Sequence, residues 1–394
     1  MVAALLSAAS SLAVGESSAW PAGGTRSSQA RRSALPRSLP PSKGPERFVA
    51  PSGSDSAPGT LRRPWRTIQR ALDTLGPGET AFVHAGTYRE NLALTRAGTR
   101  TKTITIRNYP RERVVLRPDG DDPSYPLMVR TGAAYVRLQG FVIEGASIPN
   151  TVNVYVTGRA HDIELSRCEI RGAQHGSGIF VDNTPYRIQV LANVVHDNNE
   201  PGRQHQGIYF EASNGLIANN VVYGQSLGFG IQVRTDARAG PESVIVTNNT
   251  VTANRMGGIV VEHTAARITV VNNIAAFNQG TGIRGYFSDG DHPNDRAGAG
   301  NVVHDNLVYG NGGYGNLHSD AITTGPSAGA AILQFRRNFV ADPRFAAAAR
   351  RNFRLRRGSP ALGRALSRYV PLRDQAGRLR GNRSSLDFGA YERH

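Results

Sequence analysis

A short pattern recurs through the middle of this chain: a β-branched run, a small or amide residue, a second apolar run, a turn, and then Gly followed by Ile. The copies read IELSRCEI with GIFV, IQVLANVV with GIYF, LIANNVVY with GIQV, VIVTNNTV with GIVV, and ITVVNNIA with GIRG; VVHDNLVY is a sixth half-copy. Aligned, they put Cys168, Asn193, Asn220, Asn249, Asn273 and Asn306 in one column at spacings of 25, 27, 29, 24 and 33 residues. Gly178, Gly207, Gly230, Gly258 and Gly282 form a second column. A period in the twenties that drifts in length specifies a solenoid in which one turn absorbs insertions. The expected fold is therefore all-β, a parallel β-helix whose coils run at least from Tyr135 to Asp320.

Each column has a physical reason. Strands stack in register about 4.8 Å apart, so every inward Ile, Val or Leu sits on its equivalent in the next coil. An Asn at a tight corner can bond the Asn above and below and satisfy buried turn backbone. Gly before each Ile is expected to supply a bend that a side chain would obstruct. Cys168 fills one ladder position as a small, weakly polar residue, and as the single cysteine it excludes an internal disulfide.

A solenoid needs its ends covered. Thr67 to Leu75, TIQRALDTL, carries apolar residues at helical spacing and is predicted to be a short N-terminal helical cap, with Thr80 to His84 and Thr103 to Arg107 as the first strands. Residues 48–338 are then the β-helix, with the cap at 48–91. The segment 339–394 has little periodicity and is expected to wrap the last coil. Val2 to Val14 is an apolar run too short to cross a bilayer, followed by small residues, so 1–19 reads as a signal peptide and the protein as secreted and extracellular. Trp20 to Arg47 is rich in Pro, Ser and Arg and reads as a disordered linker. No later segment is a candidate transmembrane span, and the chain is expected to act as a monomer.

The formal charge of +16 is unevenly placed. Arg336 to His394 holds 15 Arg against 4 acids, a net of +11, whereas Tyr135 to Asp320 holds 12 Arg against 16 acids, a net of −4. A basic end segment can hold a protein on an anionic cell wall or surface polymer by screened attraction; arginine-rich codon usage is the bland alternative. A specific nucleic-acid partner ranks lower, because the coil region is net acidic and its aromatics are not interleaved with Arg as stacking platforms.

The stretch FVAPSGSDSAPGTLRRPWRTIQRALDTLGPGETAFVHAGTYREN, Phe48 to Asn91, resembles the N-terminal cap of bacterial pectate-lyase-like right-handed parallel β-helix proteins, including polysaccharide lyase family 9. The end, DPRF, NFRLRRGSPALG and DFGAYE, is similar to the closing segment of secreted proteins of that group. The resemblance implies a polysaccharide-active protein. Family 9 lyases use clustered calcium-binding aspartates and a lysine base. Here the coil HDNNEPGRQHQGIYFEAS offers Asp197 without such a cluster, and no Lys follows Lys102. The Asp, His and Arg motifs of polygalacturonase hydrolases are absent as well.

Because strand side chains alternate, the residues after each Gly-Ile sort into outward columns. The position after Ile reads Phe180, Tyr209, Gln232, Val260, Arg284; two residues on it reads Asp182, Glu211, Arg234, Glu262, Tyr286. Together with His175 and His205 these form the candidate site, a solvent-facing polar strip. For β-elimination on a uronic-acid polymer, Arg234 and Arg284 are the candidate carboxylate binders, His205 the base and Tyr209 the acid, with Glu211 beside them. The substrate-binding candidates are His175, Asp182, Gln232, Glu262 and Tyr286. Glycoside hydrolysis is the alternative: Asp182 and Glu211 lie one coil apart, near the separation of about 5–5.5 Å that retention needs, and Glu211 and Glu262 two coils apart, toward the roughly 6.5–9.5 Å of inversion. A binding-only solenoid with an ordinary charge ladder is a third reading. The loop SDGDHPND places Asp289, Asp291 and Asp295 together as a candidate Ca²⁺ site, and Asp119, Asp121 and Asp122 are a weaker one. His196 and His304, each before an acid in a repeat turn, are expected to be structural.

Overall fold

The computed structural model describes residues 35–393 apart from 37, 119–124, 146–151, 175, 199–204, 235–240, 263–264, 289–299, 314, 323–332 and 382–384. Among the described residues the chain is a parallel β-helix built from three sheets of 11, 10 and 9 strands, named here first, second and third in the order in which the chain visits them on each coil. The register pairs each residue with its counterpart one coil on, as in Ile163 with Ile188, Ile170 with Val195, and Ile179 with Ile208. These inward residues form one continuous buried core from Val49 to Leu333. The coils thus extend beyond the expected minimum, starting at the strand Glu46–Val49 and ending at Phe339–Val340.

The corner between the first and second sheets is turned, in each of these coils, by one residue in the left-handed region. Before the Asn column these are Arg167, Ala192, Asn219, Asn248, Asn272 and Asp305, with φ between 51° and 59°. Asn and Asp tolerate this conformation better than most side chains, which is why the sequence so often reads Asn-Asn or Asp-Asn there. The next residue's amide then bonds along the axis: Asn193, Asn220, Asn249, Asn273 and Asn306 each donate Nδ2–H to the Oδ1 of the following coil at 2.9–3.0 Å. Cys168 ends this column, its N–H donating to Asn193 Oδ1 at 2.9 Å. Burial pushes its thiol up to about 11, which excludes a thiolate nucleophile at neutral pH.

A second amide column runs between the second and third sheets and was not read from the sequence. Asn254 donates to Asn278, Asn278 to Asn311 and Asn311 to Asn316 at 2.9–3.0 Å, and Gln225 N–H donates to Asn254 Oδ1 at 3.2 Å. This column explains the glycines. Gly230 is not in the left-handed region; a Cβ there would stand 2.2 Å from Val251 Cγ1 and 2.8 Å from Asn254 Nδ2. The Gly of Gly-Ile is therefore required by close approach of the second amide column and the core, and not by a bend.

The N-terminal helix is Ile68–Thr74, capped by Thr67, whose hydroxyl accepts from Arg70 N–H and donates to Asp55. Ile68 and Gln69 N–H groups donate to the Glu90 carboxylate at 2.9 and 2.8 Å, and Ile68, Ala71 and Leu72 are buried over the first coil. The expected signal peptide and most of the linker lie outside the described residues. The linker's last part corrects the expectation of disorder: Leu39 is buried and accepts from Arg137, Ser42 Oγ donates to Thr103 O at 2.6 Å, and Glu46–Val49 is a strand. A Ser/Pro-rich stretch needs only one buried Leu and an open strand edge to be held.

The C-terminal segment also differs from expectation. It touches the last coil, but it lies mainly along the flank, on the outer face of the second sheet. Phe345, Phe353, Leu355 and Phe388 pack on Val221, Tyr223, Ile274 and Leu307, outward apolar residues that the coils cannot bury themselves. Buried Arg380 fastens this brace, donating to Glu392 at 2.7 Å, to Asn219 Oδ1 at 2.7 Å and to Gly389 O at 2.9 Å. Truncating one member of a buried ion pair leaves the other uncompensated, so Arg380→Ala is expected to cost about 3–5 kcal/mol. Urea unfolding of the variant checks it; a loss below about 1 kcal/mol would mean that the brace is held by its apolar contacts alone. Among the described residues no helix is long and apolar enough to cross a membrane.

Candidate functional site

The third sheet carries the strip read from the sequence. Its outward column runs in register through Ala93, Met128, Tyr155, Phe180, Tyr209, Gln232, Val260, Arg284 and His318. Tyr155, Phe180 and Tyr209 stack face to face, with centroids 5.3 and 4.8 Å apart and planes within 15° and 19°, and Tyr125 tilts against Tyr155 at 4.9 Å. All four rings are half-buried. Because their faces are spent on one another, the column offers ring edges and phenolic hydroxyls to whatever lies on it.

Beside it runs the second column. Asp182 is the best-held member: its Oδ2 accepts from Thr157 Oγ1 at 2.8 Å and from Tyr155 Oη at 3.3 Å, and its Oδ1 from Asn183 N–H at 2.8 Å. Burial raises the Tyr155 phenol above its ordinary value; the hydrogen bond to Thr157 opposes it, and the neighbouring Asp182 charge adds a smaller rise. Glu211 and Arg234 continue the parallel hydrogen bonding, donating N–H to Val181 O and Phe210 O. Glu262 is buried and accepts from Gln232 Nε2 at 2.5 Å, and its backbone pairs with that of Tyr286.

Two corrections follow. The strip is not solvent-facing throughout: Gln232 is 3%, Val260 0% and Glu262 7% exposed, so other parts of the chain overlie its middle. That removes Glu262 as an accessible general acid. Nor are the five candidate catalytic residues gathered at one point. His205 shares its row with Gly228, where a Cβ would stand 1.6 Å from His205 O, and it precedes Tyr209 by four residues, up to about 13 Å along an extended strand. Arg284 lies three coils from Tyr209, about 14 Å at the usual strand spacing. Glu211 and Arg234 stand on adjacent coils, and Tyr209 lies two residues before Glu211 on the same face. His175 and the acidic run Asp289, Asp291 and Asp295 lie outside the described residues, as do Asp119, Asp121 and Asp122.

The register also supplies a residue that sequence reading missed. His318 stands directly beside Arg284, one coil on, and both are half-buried on the outward face. Its coil reads GNLHSDAI, with Asn316-Leu317 where other coils have Gly-Ile, so the motif search passed over it. Following the inward column Ile259, Ile283, Leu317 would have found it.

A groove of about 390 Å³ lies elsewhere, at the corner after the second sheet, lined by Arg117, Glu144, Gly145, Arg171, Gly172 and Asp197. Its charges are spent on each other. Glu144 accepts from Arg117 Nε and Nη2 at 2.8 and 2.6 Å and from Arg171 Nε at 2.7 Å. Burial alone would raise its pKa, but the two arginines outweigh burial and hold it below its ordinary value near 4.5. A depressed carboxylate stabilises the fold above its unfolded pKa and loses that contribution as pH falls through the lower folded value. Glu144→Gln is therefore expected to flatten the fall in stability below about pH 4.5, read from denaturant midpoints across an acid series. An unchanged slope would count against the pairing. Asp197 accepts from Arg351 at 2.8 Å and bonds His196 Nδ1 at 2.9 Å, and His304 bonds Asp305 in the same way at 2.7 Å. Both Asp197 oxygens are engaged, and among the described residues no three His, Cys, Asp or Glu side chains converge.

Comparison with known proteins places this architecture. The family described as the Pel9A-like right-handed β-helix region matches residues 47–226, and that described as periplasmic copper-binding protein (NosD) matches 143–324. The uncharacterized protein YwoF of Bacillus subtilis is 31% identical over 132 residues, covering 32% of this chain and 28% of its own. Pectate lyase PEL9 of Emericella nidulans is 36% identical over 77 residues, covering 19% of this chain and 18% of its own. This chain thus spans less than a third of the length of these curated relatives. The crystal structure of pectate lyase Pel9A shares the fold, with a TM-score of 0.59 at 15% identity over 90% of this chain and 98% of that one.

Proposed function

We propose that this chain, a pectate-lyase-like right-handed parallel β-helix, acts outside the cytoplasm on an acidic polysaccharide lying along its third sheet, and cleaves it by β-elimination. The observation that carries this reading is the outward column itself: Tyr155, Phe180 and Tyr209 stack on successive coils at one end, and beyond the covered Gln232 and Val260 the same register sets a cation and an imidazole side by side, Arg284 and His318. The relatives named as pectate lyases and the periplasmic family description support the substrate class and the location.

In this reading the Arg284 guanidinium binds the uronate carboxylate and stabilises the charge that develops when the C5 proton leaves. His318, one coil away, takes that proton. The electron pair forms the C4–C5 double bond as the C4–O bond breaks, and the departing oxygen takes a proton from solvent water. Arg234 and Glu211 bind sugars between the aromatic rows and this point. Hydrolysis by Glu211 and Glu262 is disfavoured by the burial of Glu262 and its bond to Gln232.

The test is product formation. Incubation with pectate, alginate and glycosaminoglycan panels, with and without Ca²⁺, should generate the ultraviolet absorbance of unsaturated uronate ends on one of them. Absence of that signal from all panels, with reducing ends still appearing, would replace the lyase by a hydrolase. Retention without either product would leave a binding protein.

A further inference from the structure

The C-terminal brace buries its acids and exposes its arginines. Of the acids between Ala341 and Arg393, Asp374, Asp387 and Glu392 are buried, and Asp342 alone is exposed. Their oxygens face inward: Asp374 accepts from Arg378 and Glu392 N–H groups, Asp387 from Gly363 and Arg393 N–H groups, and Glu392 from Arg380. Ten arginines of the same segment are exposed. Several are fixed by groups that position a guanidinium without cancelling its charge. Arg344, Arg356 and Arg373 donate to the carbonyls of Gly358, Ala346 and Gly377, and Arg364 lies over the ring of Phe339 at 4.9 Å; half-buried Arg354 lies over that of Tyr391 at 4.5 Å. Arg351 is paired outward, with Asp197. The charge excess seen in the sequence is thus concentrated at the surface, on a face of the prism other than the third sheet.

We infer that this brace is a second, non-catalytic binding surface for acidic polysaccharide, which keeps the protein on bulk polymer while the third sheet works. Fixed guanidiniums suit carboxylates, because a planar donor fork already held in place loses little freedom when it pairs. Nucleic acid is the poorer partner: the rings in and under the brace are covered by arginine or packed on one another, and its strongly exposed apolar residues are Leu372 and Leu379, so it presents no stacking platform. The choice of polymer rests on the function proposed above; the basic surface does not.

The probe is immobilised polygalacturonate, with the full chain carrying Arg284→Ala so that turnover does not erode the matrix. Changing Arg350, Arg357, Arg373 and Arg393 together to Gln is expected to weaken binding at least tenfold at low salt and to reduce its salt dependence. The same four positions changed to Lys should recover only part of that binding, because an ammonium keeps the charge and loses the planar donor fork. Neutral dextran should not retain the protein. Binding by the Gln variant equal to the parent, with an unchanged melting temperature, overturns the inference whatever the elimination assay gives. Tighter binding to duplex DNA or polyphosphate than to polygalacturonate also overturns it, in favour of a phosphate surface. Loss of retention in the Gln variant, with no unsaturated ends made by the unaltered protein, would uphold the brace and sink the lyase.

Discussion

Asn249→Ala should destabilise the protein by about 3–5 kcal/mol, at the upper end of what single substitutions do. The side chain is fully buried and makes four hydrogen bonds. Its Oδ1 accepts from the N–H and Nδ2 of Asn220, and its Nδ2 donates to Ile217 O and Asn273 Oδ1. Alanine removes all four at once and strands the Asn220 N–H and the Ile217 carbonyl where water cannot reach, at about 1–3 kcal/mol for each orphaned group. Cys168→Ala is the matched control, because this member of the same column makes weak thiol contacts, such as that of Sγ to Ser166 O at 3.4 Å, in place of the amide bonds; its loss should stay below about 1.5 kcal/mol. In a solenoid stabilised mainly between neighbours, the damage should also be local. Hydrogen exchange should speed up around residues 217–273 before it does so in the first coils. Equal urea midpoints for the two variants would show that the amide column contributes register and little stability.

The second large effect is on catalysis. His318→Ala and Arg284→Ala should each lower kcat/KM for elimination by about 10²–10⁴, the usual worth of a positioned base or charge partner. His205→Ala should cost less than about tenfold, because its row is up to about 13 Å from the Tyr209 row and nearer the edge of the strip. The comparison decides between the two histidines. Should His205→Ala abolish product while His318→Ala leaves it intact, the reacting sugar sits toward the other end of the strip. Arg284→Lys keeps the charge but loses the fork, so partial recovery in kcat/KM is the expected result. Melting temperatures of the Arg284 and His318 variants should stay near the parent's, since both side chains point away from the core.

The sequence by itself determined the coil. Its Asn and Gly columns, the Ile, Val and Leu runs between them, and the helical TIQRALDTL fixed strand direction, period and the first cap. Each of these rests on local geometry repeated in register: a left-handed corner residue, an inward β-branched side chain, and an amide that meets its own kind one coil later. The outward columns were legible for the same reason, since alternation along a strand and stacking across coils leave no freedom in register.

What sequence could not decide was everything that depends on non-repeating chain laid over the repeats. Which outward positions are covered is one such matter: Val260 and Glu262 occupy surface positions of the pattern and are buried nonetheless. The brace is another. Its apolar residues have no period, and only contact with the second sheet shows that Phe345, Phe353 and Phe388 complete a core. The same contact turns three acids inward and leaves the arginines outside, a sorting that net charge cannot reveal because burial acts on single side chains. Distance is the last. A column reads as one site in a sequence, but at about 4.8 Å per coil and 3.3 Å per residue its members spread over more than one sugar, and only the register of the folded coils puts His318 beside Arg284 and leaves His205 apart.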